Sequence, residues 1–267
     1  AASSDYPLRD VYKRQDPLFE ATFGWCEHER TMQALGADLL TPELFKAMDE
    51  PPDLDDERCP ERSRERRRLR HPYRFGLERH PYQHQMEAWQ ILAQEIQQSL
   101  IVASGTGSGK TECFMVPILD HLLRQRTGRG NRLTGVRALF LYPLNALINS
   151  QRERLRAWTH AFGGDVRFCL YNGNTPEQLP AAQTRPFPNE VMDRESLRDK
   201  PPPILVTNAT MLEYMLVRRI DAPILEQSQG KLEWVVLDEA HTPVVAARAV
   251  GTNCFKKPAS VRPSRLG

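Results

Sequence analysis

The sequence predicts an α/β fold, a parallel sheet flanked by helices, with a small, mainly helical or irregular N-terminal extension. Three observations predict it. Between residues 82 and 241, short apolar runs alternate with segments whose apolar residues recur at helical spacing. A glycine-rich stretch, Ser104 to Thr111, sits directly after one apolar run and directly before a helix. The run WVVL, Trp234 to Leu237, ends in Asp238 and Glu239, at the strand end where α/β sheets place their sites.

The elements follow in order. Residues 1–81 form an N-terminal extension, expected to be partly helical and partly disordered, with many prolines and no clear strand. Within it, Phe19, Phe23, Trp25, Leu39, Leu40, Leu44 and Phe45 suggest a small helical piece. Arg58 to Arg74 contains eight arginines, with Glu61 and Glu65 interleaved and Asp53, Asp55, Asp56 and Glu57 upstream. A solvated, ion-paired helix is the expectation there, over a patch that tracks phosphates.

Tyr82, Met86, Trp89, Ala93 and Ile96 predict a helix over 82–98, and SLIVA (Ser99 to Ala103) a short buried strand. A helix over 110–123, a strand over 136–142 and a helix over 145–158 come next, then strands at 166–171 and 204–207. Between those strands, residues 176–203 hold seven prolines and form an unusually long connection, read equally as an accessory loop or a surface excursion. Thr210 and Glu213 form a capping-box pattern before a helix through Arg218, and Trp234 to Leu237 is the last strand. Residues 242–267 break the rhythm: after Glu239 no acidic residue occurs, while Arg248, Lys256, Lys257, Arg262 and Arg265 are basic. The first fifteen residues are expected to be read-through and residues 242–267 a frameshifted or truncated end, so neither tail is given a function.

Composition narrows the classes. Among 267 residues, 36 Lys+Arg against 34 Asp+Glu leave a net charge of +2, which excludes a uniformly basic coat but not local patches. No apolar run approaches the ~20 residues that span a bilayer, and the opening AASSDYPLRD lacks the apolar core of a signal peptide. Five cysteines, without a C-x-x-C pair, point to reduced thiols and a cytoplasmic protein. Cys26 with His28 has no second pair to complete a metal site.

Two motifs carry chemistry. In SGTGSGKT, the glycines let successive backbone N–H groups point inward as an anion nest, and the following helix adds about half an elementary positive charge at its start. Lys110 would reach the β and γ phosphates and Thr111 would hold Mg²⁺, with Gly105, Thr106, Gly107, Ser108 and Gly109 forming the cradle. Ser104 stands where the strict pattern has its first glycine. At the far strand end, Asp238 can hold Mg²⁺ through water, and Glu239 can orient and deprotonate an attacking water.

SGTGSGKT followed by DEAH (Asp238 to His241) resembles the first motor domain of superfamily 2 DEAD/DEAH-box helicases. PYQHQMEAW resembles their adenine-recognising motif, LYPLNALINSQ the proline-led segment after the second strand, and VTNATMLEYML a later nucleic-acid motif. YPLNAL, YNGNTPE and VTNATMLEYML together are nearest to the Lhr-like, DNA-repair or defence-system branch. The resemblance implies a RecA-like P-loop NTPase over 82–241, using ATP and Mg²⁺ to unwind or move along nucleic acid, DNA rather than RNA. It implies that Gln85 recognises adenine, that Lys110, Asp238, Glu239 and His241 are catalytic, with His241 coupling nucleotide state to a partner domain, and that Pro143, Asn145, Thr207 and Asn208 touch the nucleic-acid backbone. After His241 nothing resembles the Ser-Ala-Thr-type motif or the second RecA-like domain that supplies arginines to the γ-phosphate, and Pro243 intrudes where a helix continues. The expectation is therefore a front half that binds nucleotide and does not unwind alone, with an unpaired sheet edge. A non-unwinding double-strand translocase and a catalytically silent RecA-like binding module are the rival readings.

Overall fold

The computed structural model describes residues 24–52, 71–94, 98–105, 107–126, 132–184 and 186–238. Phe19, Phe23, most of the arginine-rich stretch, Thr106, Glu239, His241 and the tail 242–267 lie outside the described residues.

Five strands form one parallel sheet: β1 (Ala138–Leu141), β2 (Phe168–Tyr171), β3 (Glu190–Val191), β4 (Ile204–Thr207) and β5 (Trp234–Leu237), in the order β3-β2-β4-β1-β5. Ala138 lies opposite Ile204 on one side and Trp234 on the other, and the register runs on residue by residue to Leu141. Strand alternation sends neighbouring side chains to opposite faces. Ala138, Phe140, Phe168, Leu170, Ile204 and Val206 enter one core, while Leu139, Leu141, Cys169, Tyr171 and Leu205 enter a second. A sheet covered on both faces has no use for polar alternation, which is why ALFL, FCLY and ILVT read as continuous buried runs.

The first core is closed by α1 (Met32–Leu39), α2 (Pro42–Asp49), α3 (Gln83–Leu92), α4 (Lys110–Gln125) and α5 (Asn145–Thr159). After the short exposed α6 (Ala181–Thr184), the second is closed by α7 (Arg194–Asp199), α8 (Ala209–Val217) and α9 (Ala222–Ser228), through Leu197, Met211, Leu212, Met215 and Ile224. The helical piece read in the extension is present, and it is part of the main core: Met32, Leu35, Leu40, Leu44 and Met48 are buried in the same cluster as Leu119 and Phe140. Residues 26–28 are also stitched to 81–83, with Glu27 bridging Tyr82, His28 N–H donating to Pro81 O at 2.8 Å and Gln83 N–H to Cys26 O at 2.8 Å.

Several expectations are corrected. The helix expected over 82–98 ends at Leu92. SLIVA forms no strand: residues 99–103 pair with nothing in the sheet, and Ile101 is 92 % exposed. An apolar run becomes a strand only where a neighbour supplies its ladder, and among the described residues β5 pairs with β1 alone. The capping box is displaced by two residues, because Asn208 caps α8 by accepting from Met211 N at 2.8 Å. The proline-rich connection is built rather than irregular, carrying β3 and α7, with Glu190 of β3 ion-paired to Arg156 at 2.5 Å and Arg152 at 3.1 Å. Of the eight arginines in the arginine-rich stretch, Arg74 is described: it lies outside any helix and is ion-paired with Asp49 and Glu78, while the expected helix falls outside the described residues. Among the described residues, no helix is long and apolar enough to cross a membrane.

Candidate functional site

The glycine-rich loop is shaped by its own sequence. Gly107 and Gly109 adopt φ of 80° and 74°, the left-handed region that suits glycine, and Gly109 is the N-cap of α4. Ser104 and Ser108 hydroxyls meet at 2.6 Å across the loop, and Ser108 is buried. Lys110 Nζ donates to Ser104 O at 2.9 Å, so the loop curls around its own lysine. Ser104 thus has a use where the strict pattern has glycine.

Helix α3 braces this loop from outside. Gln85 is 2 % exposed and both ends of its amide are engaged: Oε1 accepts from Tyr82 N at 2.9 Å, and Nε2 donates to Gly109 O at 3.1 Å. A side chain at Gly109 would collide with the Gln85 amide, so glycine is required there twice over. His84 Nε2 pairs with Ser108 O at 2.8 Å, and Trp89 Nε1 donates to Glu112 O at 2.9 Å. Gln85 stands out in the sequence by resemblance, whereas His84 and Trp89, which brace the loop beside it, are marked only by their position, adjacent to Gln85 and one helical turn beyond it.

A cavity of about 370 Å³ opens beside the loop. It is lined by Gly107 to Glu112 of the loop and α4, by residues of the 75–85 segment that include Gln85, by Arg154 of α5 and by Asp238 at the end of β5. Parallel pairing brings Asp238 here: its N–H donates to Leu141 O at 3.0 Å, which continues the β1–β5 ladder by one residue. Lys110, Thr111 and Asp238, expected to act together, therefore face one space. Among the described residues no group of three or more His, Cys, Asp or Glu could hold a metal alone. A hydroxyl, Thr111, and a carboxylate, Asp238, lining one cavity are both hard oxygen donors and fit Mg²⁺, which takes few protein ligands and completes its shell with water and phosphate oxygens.

Burial moves several groups of the domain away from their ordinary values. The Cys113 thiol, in the first turn of α4, is pushed up to about 12, first by burial and then by Glu112, so it stays an unreactive thiol. The Tyr142 hydroxyl is raised by burial and by Asp238, against a lowering by Arg154. Burial lowers the affinity of His160 for its proton.

The expected nucleic-acid residues divide. Pro143 and Asn145 are exposed, and Asn208 Nδ2 donates to Asn145 Oδ1 at 2.9 Å, tying the start of α5 to the start of α8 on one surface. Thr207 is fully buried and its hydroxyl donates to Tyr171 O at 2.6 Å. Its side chain braces the sheet and is turned away from that surface.

Residues 82–253 match the family model described as DEAD/DEAH box helicase. The chain is 29% identical to Druantia protein DruE of Escherichia coli, over 62% of this chain and 14% of DruE. It is 27% identical to the ATP-dependent helicase YprA of Bacillus subtilis, over 60% of this chain and 18% of YprA. With the ATP-dependent helicase Lhr-Core of Sulfolobus acidocaldarius the figures are 28%, 54% and 15%. Among solved structures, the DUF1998 helicase MrfA bound to DNA and AMPPNP aligns at 25% identity over 72% of this chain and 22% of that one, with a TM-score of 0.43. The chain spans less than a fifth of the length of these three curated relatives. The match covers the glycine-rich loop, Asp238 and every strand of the helix-flanked parallel sheet, and on that ground the chain belongs to the DEAD/DEAH box helicase family, with the RecA-like fold its motifs imply.

Proposed function

We propose that this chain is the nucleotide-binding motor domain of an ATP-dependent helicase, taking ATP with Mg²⁺ in the cavity between the glycine-rich loop and Asp238. The observation that carries the reading is the convergence of Lys110, Thr111 and Asp238, from two distant segments, on one cavity. When bound, Mg²⁺ neutralises phosphate charge, held by Thr111 and Asp238. Lys110 leaves Ser104 O for the phosphates, and the loop N–H groups donate to the oxygens on which charge builds in the transferred group. Glu239, next to Asp238, orients the attacking water, and His241 passes the nucleotide state to a second motor domain elsewhere in the full-length protein. Gln85 ties the base side of the cavity to the loop, so that adenine recognition and loop shape depend on one amide.

The nucleic acid is read as DNA, following the likeness of YPLNAL, YNGNTPE and VTNATMLEYML to the Lhr-like branch. Pro143, Asn145 and Asn208 form its contact surface, and Thr207 supports it from beneath. We take residues 82–241 as the motor unit, with 1–81 an extension and 242–267 a tail. The cytoplasm is its compartment, a reading supported by the free thiols of Cys26, Cys113 and Cys169. The test is DNA-stimulated ATP hydrolysis by the full-length protein. Lys110→Ala and Glu239→Gln are each expected to lower turnover at least a hundredfold. Undiminished turnover in both variants would sink the reading.

A further inference from the structure

Arg154 is a cationic side chain in the cavity that none of the motifs uses. It projects from α5, lines the same space as Lys110, Thr111 and Asp238, and is 20 % exposed. Its guanidinium is held from the protein side. Nη1 faces Glu112 Oε1 at 3.0 Å, and Cζ lies 5.6 Å from the centre of the Tyr73 ring and 5.8 Å from that of Trp158. Trp158 is itself fixed, its Nε1 donating to Tyr73 O at 2.8 Å. Yet the Nη1 atom, though buried, makes no aligned hydrogen bond among the described residues. A guanidinium has five N–H donors in a rigid fork. Here an ion pair and two aromatic faces orient that fork at the lining of the cavity.

The surroundings say which end of the cavity it serves. Beside it, the Tyr142 hydroxyl is buried without a hydrogen-bond partner among the described residues and feels both Asp238 and Arg154. Tyr142 directly follows β1, whose partner strand β5 leads into Asp238, so Arg154 and Asp238 meet around one hydroxyl at this part of the cavity. A triphosphate carries more negative charge than one lysine offsets, and planar two-point donation to phosphate oxygens is what a pre-oriented arginine does well.

We propose that Arg154 is a second cationic contact for the terminal phosphate of a nucleoside triphosphate, supplied by the same domain that carries Lys110. Glu112, Tyr73 and Trp158 are its positioning residues. The inference rests on the ATP-binding reading above and adds to it a means of telling triphosphate from shorter nucleotides.

Calorimetric titration of the 267-residue chain with ATP, ADP and AMP, each with Mg²⁺, tests it. Arg154→Ala is expected to weaken ATP about tenfold and leave AMP unchanged, with Arg154→Lys between wild type and alanine because it keeps the charge and loses the fork. If Arg154→Ala fails to fold once its ring contacts are gone, the ATP-to-AMP affinity ratio of Arg154→Lys decides alone. Equal losses for ATP and AMP, or no loss for either, would overturn the assignment. Lys110→Ala separates the two readings. If wild type binds ATP, Lys110→Ala does not and the Arg154 variants match wild type, this inference fails and the ATP site stands. A wild type that binds no nucleotide overturns both.

Discussion

β1 and β5 are neighbours in one sheet, paired from Ala138–Trp234 to Leu141–Leu237, yet they sit in different surroundings. Every β1 residue is buried, odd and even positions alike. On β5, Trp234 and Val236 pack on the first core, while Val235 and Leu237 remain 39 % and 43 % exposed on the opposite face. WVVL and ALFL are equally apolar, so their difference lies in what covers them. β5 is fixed by other means. Just before it, Glu233 accepts from Gln125 Nε2 at 2.6 and 2.8 Å and from Arg137 Nη1 at 3.3 Å, and it pairs with His121. The Asp238 carboxylate at the end of β5 is thus placed by a one-sided ladder and a polar knot, where the inner strands are placed by packing.

Mutations should separate the two regimes. Phe140→Ala, in the covered strand, is expected to cost about 3–5 kcal/mol in denaturant unfolding, through lost burial and the cavity left behind. Breaking the knot with Glu233→Gln should cost less, about 1 kcal/mol at pH 7, because the site is partly exposed. That loss has a pH signature. Burial raises the Glu233 carboxyl, but hydrogen bonds from Gln125 and His121 and the charges of His121 and Arg137 outweigh it, so its value is lowered on folding. Its contribution is therefore present above the ordinary carboxylate range and lost as pH falls through the lowered value. The gap between wild type and Glu233→Gln should close on acidification; a gap that widens would contradict the knot. Smallest of the three, Val235→Thr should change stability by less than about 0.5 kcal/mol while reducing self-association seen by light scattering. If it destabilises as much as a core change, β5 is covered on both faces in solution.

The same contrast explains what could be read in advance. Strands covered on both faces, β1, β2 and β4, are legible because their runs are unbroken and bounded by turns, and β5 is legible from the same apolar run although one of its faces is open. SLIVA carries the same local signal, but a strand needs a neighbour, and pairing is not encoded within five residues. β3 was missed because Glu190 and Val191 make a two-residue strand whose glutamate is buried only through Arg152 and Arg156 of α5, a long-range pairing no local pattern announces. At the site, the loop and Asp238 were legible because a phosphate cradle constrains backbone and spacing together. Arg154 was not, since an arginine within QRERLRAW looks like any solvated helix position until α5 turns it toward the cavity. Thr207 differs in the opposite sense: it sits beside Asn208 in the chain, but its hydroxyl faces inward.

The most direct test of the central claim, that Lys110 and Asp238 converge on one Mg²⁺-nucleotide site, is titration of the 267-residue chain with a fluorescent ATP analogue, with and without Mg²⁺. Wild type is expected to bind saturably. Lys110→Ala should abolish binding, and Asp238→Asn should leave weak binding that no longer responds to Mg²⁺. Binding in Lys110→Ala equal to wild type, or a full Mg²⁺ response in Asp238→Asn, would contradict the account.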